Sequence, residues 1–259
     1  MENALLVGLS RQMALSHELD VVANNIANIN TTGYKSDGMA FAQFLMPNAS
    51  DDQFAGNDRR VDFVEDRGTW IDFSPGAVQR TGSALDVAID GNAYLAVQTP
   101  RGVRYTRNGA LVVNGTGQLV TSDGYQVLGD SGPITFQTTD HDVIISPSGI
   151  ITVREGNSTA DSPRGRLQLV GFDQPQRLQK DGGSTFMAPP GVNTTAPPQG
   201  ARVLQGSIER SNVNPLAEIS RMIQITRSYT DIANVLQQQS EQRRNALGQL
   251  AQVPSSGTA

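Results

Sequence analysis

The chain contains no cysteine among its 259 residues, which excludes disulfide bonds, thiolate metal ligands and a cysteine nucleophile. Histidine is nearly absent as well, with only His17 and His141. Each stands beside a carboxylate, Glu18 or Asp140, but such a neighbour in the sequence is weak evidence for catalysis. The signatures of zinc proteases, calcium loops, phosphate-binding loops and serine hydrolases are missing. We therefore expect no enzymatic activity, no metal and no cofactor.

Long apolar runs and an excess of positive charge are also lacking. No stretch approaches the ~20 apolar residues that a membrane span requires. The first apolar run, 4–9, follows an acidic residue and is too short for a secretory signal peptide. The formal net charge is -5, from 20 basic and 25 acidic residues, which disfavours a nucleic-acid partner. These observations predict no nucleic-acid binding, no membrane insertion and no cleaved signal.

Three sequence features are weak candidates for a catalytic or ligand-binding site. Asp86 and Asp90 stand at i and i+4 on a predicted strand, hence on one face, so carboxylate chemistry on sugars stays open. An acidic group lacks the regular spacing of cation ligands and is interpreted as a solvated loop: Asp51, Asp52, Asp62, Glu65 and Asp66. The motif "NGTGQLV" (114–120) lacks the third glycine of a dinucleotide-binding turn, and we reject that interpretation.

Helical periodicity marks the first segment of the chain. Apolar residues recur at alternating steps of four and three in Leu15, Leu19, Val22, Ile26 and Ile29. Leu5, Leu9 and Met13 extend the apolar face toward the start, and the pattern predicts a helix over about 3–28. The sequence "NTTG" (30–33) is expected to end the helix, with Gly33 able to take a left-handed conformation.

The last segment repeats this pattern. Asn214 is a candidate cap, Pro215 suits the first turn and Glu218 favours the positive end of the helix dipole. The residues that follow at steps of three and four are Ile219, Met222, Thr226, Tyr229, Ala233, Leu236, Ser240, Arg243, Leu247 and Leu250. Their period indicates either a coiled-coil seam or an amphipathic helix packed on its own core, and does not separate the two.

Both predicted helices contain long stretches without charge. No charged residue occurs over 21–34, where Asn24, Asn25 and Asn28 interleave the apolar residues, and none occurs over 232–240. Charge depletion is typical of interface cores, and buried amides select one packing register. We expect both helices to be buried on more than one side, by each other and by neighbouring chains.

Short strands and glycine turns fill the middle of the chain. Hairpin turns are predicted at Gly91-Asn92, "TPRG" (99–102), Asn108-Gly109, "NGTG" (114–117) and "SDG" (122–124). A second set of short strands is predicted in "PITFQ" (133–137), "DVIISPSGIITVR" (142–154) and "RLQLVGF" (166–172). The fold class expected is α+β, with the two terminal helices paired in a coiled-coil-like domain and a central all-β domain of short hairpin strands.

Three segments resemble the rod and hook proteins of the bacterial flagellum. They are "LDVVANNIANINTTGYKS" (19–36), "SNVNPLAEISRMIQITRSYTDIANVLQ" (211–237) and the β segment 82–129. The opening residues are most similar to the proximal-rod member of this family, with the distal-rod member as the alternative. The domains expected are an inner helical domain (1–36 and 211–250), an extended hairpin or loop connector (37–75), a β domain (76–210) and a disordered tail (251–259).

The resemblance implies a structural subunit and not an enzyme. Its terminal helices would be disordered in the free monomer and would order on assembly with other rod proteins. The chain would leave the cytoplasm through the flagellar type III export apparatus and reside in the periplasmic rod. The role of the loop 48–60 is left open. The alternative from another class is a periplasmic carbohydrate-binding or hydrolytic β module that uses Asp86 and Asp90.

Overall fold

A computed structural model describes residues 2–46, 61–156, 158 and 160–251. A helix lies near each end, with a large β-rich region between them, which confirms the α+β class. The chain divides into two compact units. The helical unit comprises Met1–Ile26, Asp37–Trp70 and Pro215–Ala259, and the β unit comprises Ala27–Ser36 and Ile71–Asn214. Residues 27–36, grouped with the helices in the sequence analysis, thus lie in the β unit.

The two helices occupy the predicted segments. Helix α1 spans Glu2–Ala27 and α2 spans Pro215–Ala251. Proline suits the start of α2 because its missing N–H would have no partner within the helix there. Gly33 has the expected left-handed conformation, with φ of 69°, but it lies in the turns that follow α1 and does not itself end the helix.

Two long strands complete the helical unit. Strand β1 (Asp37–Met46) pairs with β2 (Val61–Ile71) in a two-stranded sheet. A Cβ added at Gly38 would lie 2.4 Å from Cε2 of Trp70, so this close approach of the indole requires glycine. The predicted connector 37–75 therefore contains a strand pair. Its loop 48–60 lies outside the described residues, as does the predicted tail apart from Ala251.

The β unit is built from short strands that glycine and proline turns separate. They are β3 (Val78–Arg80), β4 (Val87–Asp90), β5 (Tyr94–Thr99), β6 (Gly102–Thr106), β7 (Leu111–Val113), β8 (Leu119–Thr121), β9 (Gln126–Gly129), β10 (Gly132–Pro133), β11 (Asp140–Ile145), β12 (Ile150–Glu155), β13 (Asp161–Arg166), β14 (Leu169–Phe172), β15 (Gln179–Lys180), β16 (Thr185–Met187), β17 (Thr194–Thr195), β18 (Arg202–Gln205) and β19 (Ser207–Glu209). One turn of 3-10 helix spans Pro175–Arg177.

These strands pair into one large sheet and three smaller groups. The main path runs β15-β16-β6-β5-β9-β8-β7, with β10, β14 and β17 attached to it. Strands β11, β12 and β13 form a separate three-stranded sheet, and β4 and β3 pair with β18 and β19. Buried aliphatic side chains, among them Leu95, Val97 and Ile151, pack together as the main core of the β unit. A second cluster combines aliphatic and aromatic side chains, and in it Tyr94 makes edge contacts with Phe172 and Phe186.

Most predicted hairpins are confirmed. Strands β5 and β6, β7 and β8, and β8 and β9 are antiparallel neighbours across the predicted turns. Strands β11 and β12 form a further antiparallel pair within the predicted strand segment 142–154. Gly117, Gly124 and Gly149 have positive φ there, which glycine adopts at no steric cost.

Two predicted hairpins are wrong. Strand β4 pairs with β18, with Val87 opposite Gln205, and not with β5 across Gly91. Strands β6 and β7 do not pair across Gly109; its carbonyl instead accepts a hydrogen bond from Val87 N at 2.9 Å. The strands on either side of these two glycines pair with strands other than each other. The residues of a turn do not determine such distant pairing.

Candidate assembly surface and a buried charged cluster

Large apolar side chains are exposed along both helices. Leu9 and Met13 of α1 are 49% and 67% exposed. The others on the two helices are Leu6, Leu216, Ile219, Ile223, Tyr229, Val235 and Leu247. Large exposed apolar side chains are candidates for contact with a partner protein. These nine side chains, the exposed apolar surface of the helices, form the candidate assembly surface.

The two helices pack side by side in opposite directions. A Cβ added at Gly8 would lie 2.7 Å from Cδ2 of Leu236, and Arg221 Nε donates to Glu18 Oε1 at 2.9 Å. A groove of about 360 Å³ between the helices is lined by residues that include Val7, Gly8, Ile232 and Leu236. Coiled-coil geometry remains a prediction.

The buried side of α2 differs from the predicted seam. Ile225 is 5% exposed, whereas its neighbour Thr226, a predicted seam position, is exposed. Ile219 and Tyr229 of the same predicted seam are exposed too. An alternative spacing through Met222, Ile225 and Ile232 was present in the sequence and follows the buried side more closely. Periodicity shows that a helix has an apolar side. Where two apolar patterns overlap, it does not determine which of them is buried.

The predicted assembly residues divide by exposure into three groups. The buried ones are Val22 and Asn25. The half-buried ones are Leu15, Leu19, Ile26, Asn28, Ile29, Met222, Ala233 and Leu236. The exposed ones are Leu9, Met13, Asn24, Asn214, Ile219, Tyr229 and Leu247. Leu5 and Leu250 belong to the helices, but their side chains lie outside the described set.

Asn25 acts within the chain. Its side chain is buried, donates to the Asp37 carbonyl at 2.9 Å and accepts from Asp37 N at 2.9 Å. This pair of bonds joins α1 to the start of β1, inside the helical unit. Asn28 accepts a hydrogen bond from the Thr31 hydroxyl at 3.1 Å, in the turn that follows the helix. Asn25 and Asn28 therefore shape the end of α1 and the turn after it.

A buried charged cluster lies in the β unit and was not predicted from the sequence. The side chains of Lys35, Arg107 and Glu209 are 0%, 6% and 1% exposed. Lys35 Nζ lies 2.7 Å from Glu209 Oε1, and Arg107 Nε lies 2.6 Å from Glu209 Oε2. Burial lowers the pKa of the Lys35 ammonium below its ordinary value, and the Glu209 carboxylate opposes this shift.

Backbone carbonyls accept further hydrogen bonds from both cations of this cluster. Lys35 Nζ also donates to the Ser74 carbonyl at 2.7 Å. The Arg107 guanidinium donates to three carbonyls, those of Ile89, Gly91 and Ala93, at 2.7 to 2.9 Å. Buried ions are tolerated when they are paired and fully hydrogen-bonded. The only sequence signal for the cluster was the charge of Lys35 directly after a charge-free motif.

The residues considered for catalysis are used structurally. Asp90 Oδ2 accepts from Arg202 Nε at 2.8 Å across the β4–β18 pair, and Asp86 accepts from the Thr81 hydroxyl at 2.6 Å. Among the described residues, no group of three His, Asp or Glu side chains is placed to hold a metal ion. The side chains of the acidic group 51–66 lie outside the described set. Neither described helix is long and apolar enough to cross a membrane.

Family models of flagellar proteins match three parts of the chain. The model "Flagella basal body rod protein" matches residues 5–35. "Flagellar hook protein FlgE/F/G D1 domain" matches 88–153, and "Flagellar basal body rod FlgEFG protein C-terminal" matches 204–248. These ranges overlap the three segments that carry the resemblance in the sequence.

Whole-chain comparisons agree with the family models. The flagellar basal-body rod protein FlgF of Caulobacter vibrioides is 38% identical, over 98% of this chain and 100% of its own length. FlgF of Rhizobium meliloti is 33% identical, over 91% of this chain and 92% of its own length. FlgG of Bacillus subtilis is 30% identical, over 91% of this chain and 94% of its own length.

The chain therefore belongs to the flagellar basal-body rod protein family, a family of structural proteins and not of enzymes. Within it, the chain is more similar to these relatives named FlgF than to this FlgG. It is a structural subunit of the flagellar basal-body rod, which confirms the expected class. The alternative of a hydrolytic module that uses Asp86 and Asp90 is not supported.

Proposed function

We propose that this chain is a proximal-rod subunit of the FlgF type that assembles through its terminal helices. The observation that carries the proposal is the exposed apolar surface of α1 and α2, defined above. Burying exposed Leu and Met side chains against another subunit is favourable by about 25 cal/mol per Å² of apolar surface. The similarity to relatives named FlgF supports the proximal position.

Assembly then depends on packing alone. The helices pair with each other and with helices of neighbouring axial subunits in a coiled-coil-like arrangement, and the ordered array transmits torque for motility. The interface comprises the assembly surface defined above together with the predicted residues that are exposed or half-buried. The buried Val22 and Asn25 support it from within the chain. In the free monomer the helices are disordered and they order on assembly, because much of their apolar surface lacks a partner.

Its route and partners follow from the family. The chain passes through the flagellar type III export apparatus without a cleaved signal and reaches the periplasmic rod. Its partners are other rod proteins, and neither nucleic acid nor membrane insertion is involved. The alternative is a distal-rod position, as in relatives named FlgG. Imaging of isolated basal bodies with a labelled chain distinguishes the two positions.

Replacement of exposed apolar residues tests the assembly surface. The double variant Leu9→Gln/Met13→Gln should keep the β unit folded but lose incorporation into basal bodies and motility. The matched control is Val103→Gln, which alters an exposed valine of the β unit and should leave incorporation normal. Normal motility of the double variant would contradict the proposal, as would an equal loss in the control.

The expected disorder of the helices has a direct measurement. Circular dichroism of the purified monomer at neutral pH should show much less helix than the residues of α1 and α2 would contribute. Helix content should rise when the chain is incorporated into assembled rods. A dilute monomer with both helices fully formed would contradict folding on assembly.

The amides of the first helix provide a second variant. Asn24→Leu/Asn28→Leu should retain a folded β unit and impair assembly and motility, because the amides restrict the packing register. Unchanged motility would contradict this role.

A further inference from the structure

Hydrogen bonds to Glu209 converge from three separate parts of the β unit. Its carboxylate accepts from Lys35 Nζ, Arg107 Nε and Gly76 N, and its backbone carbonyl accepts from Gly33 N at 2.8 Å. Lys35 and Gly33 belong to the segment that follows α1. Glu209 itself belongs to the segment that leads to α2. A single residue thus connects the chain after one helix with the chain before the other.

Further polar bonds join the same segments. Ser36 N donates to Asn212 Oδ1 at 2.7 Å, and Asn212 Nδ2 donates to the Asp72 carbonyl at 2.8 Å. Asp72 N in turn donates to the Ser36 carbonyl at 2.9 Å. We call residues 33–36, 72–76 and 209–212 the junction. Bonds of this kind are directional and satisfy buried backbone groups, so the junction depends on geometry more than on apolar area.

The backbones of the junction approach too closely for ordinary side chains. A Cβ at Gly33 would lie 2.4 Å from the carbonyl carbon of Arg107, and a Cβ at Gly76 would lie 1.9 Å from the Arg210 carbonyl oxygen. Gly33 also has φ of 69°. The junction therefore has one tight arrangement, and loosening it requires its segments to separate.

The buried charges around Glu209, which include Arg107 from outside the junction, are unequal in number. Two buried cations, Lys35 and Arg107, share one buried carboxylate, Glu209. Loss of the carboxylate leaves two uncompensated cations, whereas loss of the Lys35 ammonium leaves a balanced Arg107–Glu209 pair. Removal of one partner from a buried pair is costly because the other charge stays desolvated. The two substitutions therefore have different expected effects.

We propose that Glu209 is a latch that holds the helix-flanking segments 33–36 and 209–212 in the β unit as one locally cooperative group. The latch opens separately from the aliphatic core of the β unit. The latch forms within a single chain and needs no partner. Its use in assembly rests on the proposed function: the helices order while the segments next to them are already fixed, so fewer residues lose conformational freedom on incorporation.

Hydrogen exchange measured by mass spectrometry on the purified full-length chain tests the latch. Glu209→Gln should raise the exchange rate of 33–36 and 209–212 by at least about 100-fold, while 94–99 in the core keeps its protection. Lys35→Met should raise exchange in the same segments by about tenfold or less, because the charges that remain are balanced. Asp90→Asn removes an exposed ion pair with Arg202 and should leave the junction unchanged.

Three outcomes would overturn the latch. One is unchanged exchange in both segments of Glu209→Gln. Another is equal loss of protection in the core, or failure of that variant to fold, because Glu209 would then support the whole unit. The third is a Lys35→Met effect as large as that of Glu209→Gln. Exchange of the α1 and α2 peptides in the unmodified chain separately tests the disorder expected of the helices and does not bear on the latch.

Discussion

The helical unit and the β unit differ in how much of their apolar surface is buried within the chain. Among the described residues, 24 buried hydrophobic side chains belong to the β unit and 4 to the helical unit: Ala14, Val22, Met39 and Ile225. The large exposed hydrophobic side chains divide the other way, 10 in the helical unit and 5 in the β unit. The β unit thus buries its apolar surface within one chain, whereas the helical unit leaves much of it exposed.

This difference implies that the β unit folds without partners, whereas the helical unit depends on assembly. A unit that buries its own core has a stability that does not depend on partners. A unit with an exposed apolar surface gains its stability by binding, so its apparent stability depends on the concentration of its partners. Substitutions in the two units should therefore be detected by different measurements.

The largest difference is expected for loss of an apolar side chain in the β core. Leu95 is fully buried, so Leu95→Ala should lower the free energy of unfolding by about 2–5 kcal/mol. Leu9→Ala, at an exposed helix position, should change it by less than about 0.5 kcal/mol. Urea denaturation followed by fluorescence measures both. An equal decrease in the free energy of unfolding in the two variants would contradict the difference between the units.

The two Asn-Gly pairs sharpen the comparison inside the β unit. A Cβ at Gly109 would lie 1.7 Å from the Val87 carbonyl oxygen, whereas nothing lies within 4 Å of one at Gly115. Gly109→Ala should therefore lower the free energy of unfolding by about 1–3 kcal/mol, because the backbone must shift. Gly115→Ala should change it by less than about 0.5 kcal/mol. Thermal denaturation compares the two, and a tolerated Gly109→Ala would contradict the close packing there.

A smaller effect is expected from acid, which should act on the β unit. Hydrogen bonds from Arg164 hold the pKa of Asp140 below its ordinary value, and Arg104 does the same for Asp181. Such carboxylates stabilise the fold above their unfolded-state pKa, and the stabilisation is lost as the pH falls through the lower folded-state value. Asp140→Asn should therefore be less stable than the unmodified chain at neutral pH, with a difference that shrinks toward pH ~3.

Urea midpoints measured across this pH range check the acid effect. Asp90→Asn, at the exposed pair with Arg202, is the matched control and should shift stability by less than about 0.5 kcal/mol at neutral pH. A difference for Asp140→Asn that grows as the pH falls would have the wrong sign and would contradict the role of Arg164.

The smallest effect on folding is expected at the contact between the helices. Gly8→Ala places a methyl group against Leu236 but also raises helix propensity by about 1 kcal/mol, so the two effects oppose each other. The flexible end of Leu236 can move, and the monomer should keep its stability. Incorporation into rods is the sensitive measurement, and Gly248→Ala, where nothing lies within 4 Å of the added Cβ, is its control.

The sequence by itself determined the local features of this protein. Periodicity, the proline at the start of α2 and the glycine turns predicted both helices and most adjacent hairpins, because these depend on residues a few positions apart. Only the tertiary structure decided the pairing of β4 with β18, the burial of Ile225 in place of its neighbour, and the cluster of Lys35, Arg107 and Glu209. Lys35 and Glu209 are 174 positions apart, and Arg107 and Glu209 are 102 apart. No local preference brings such residues together; only a packed chain can make their burial and pairing favourable.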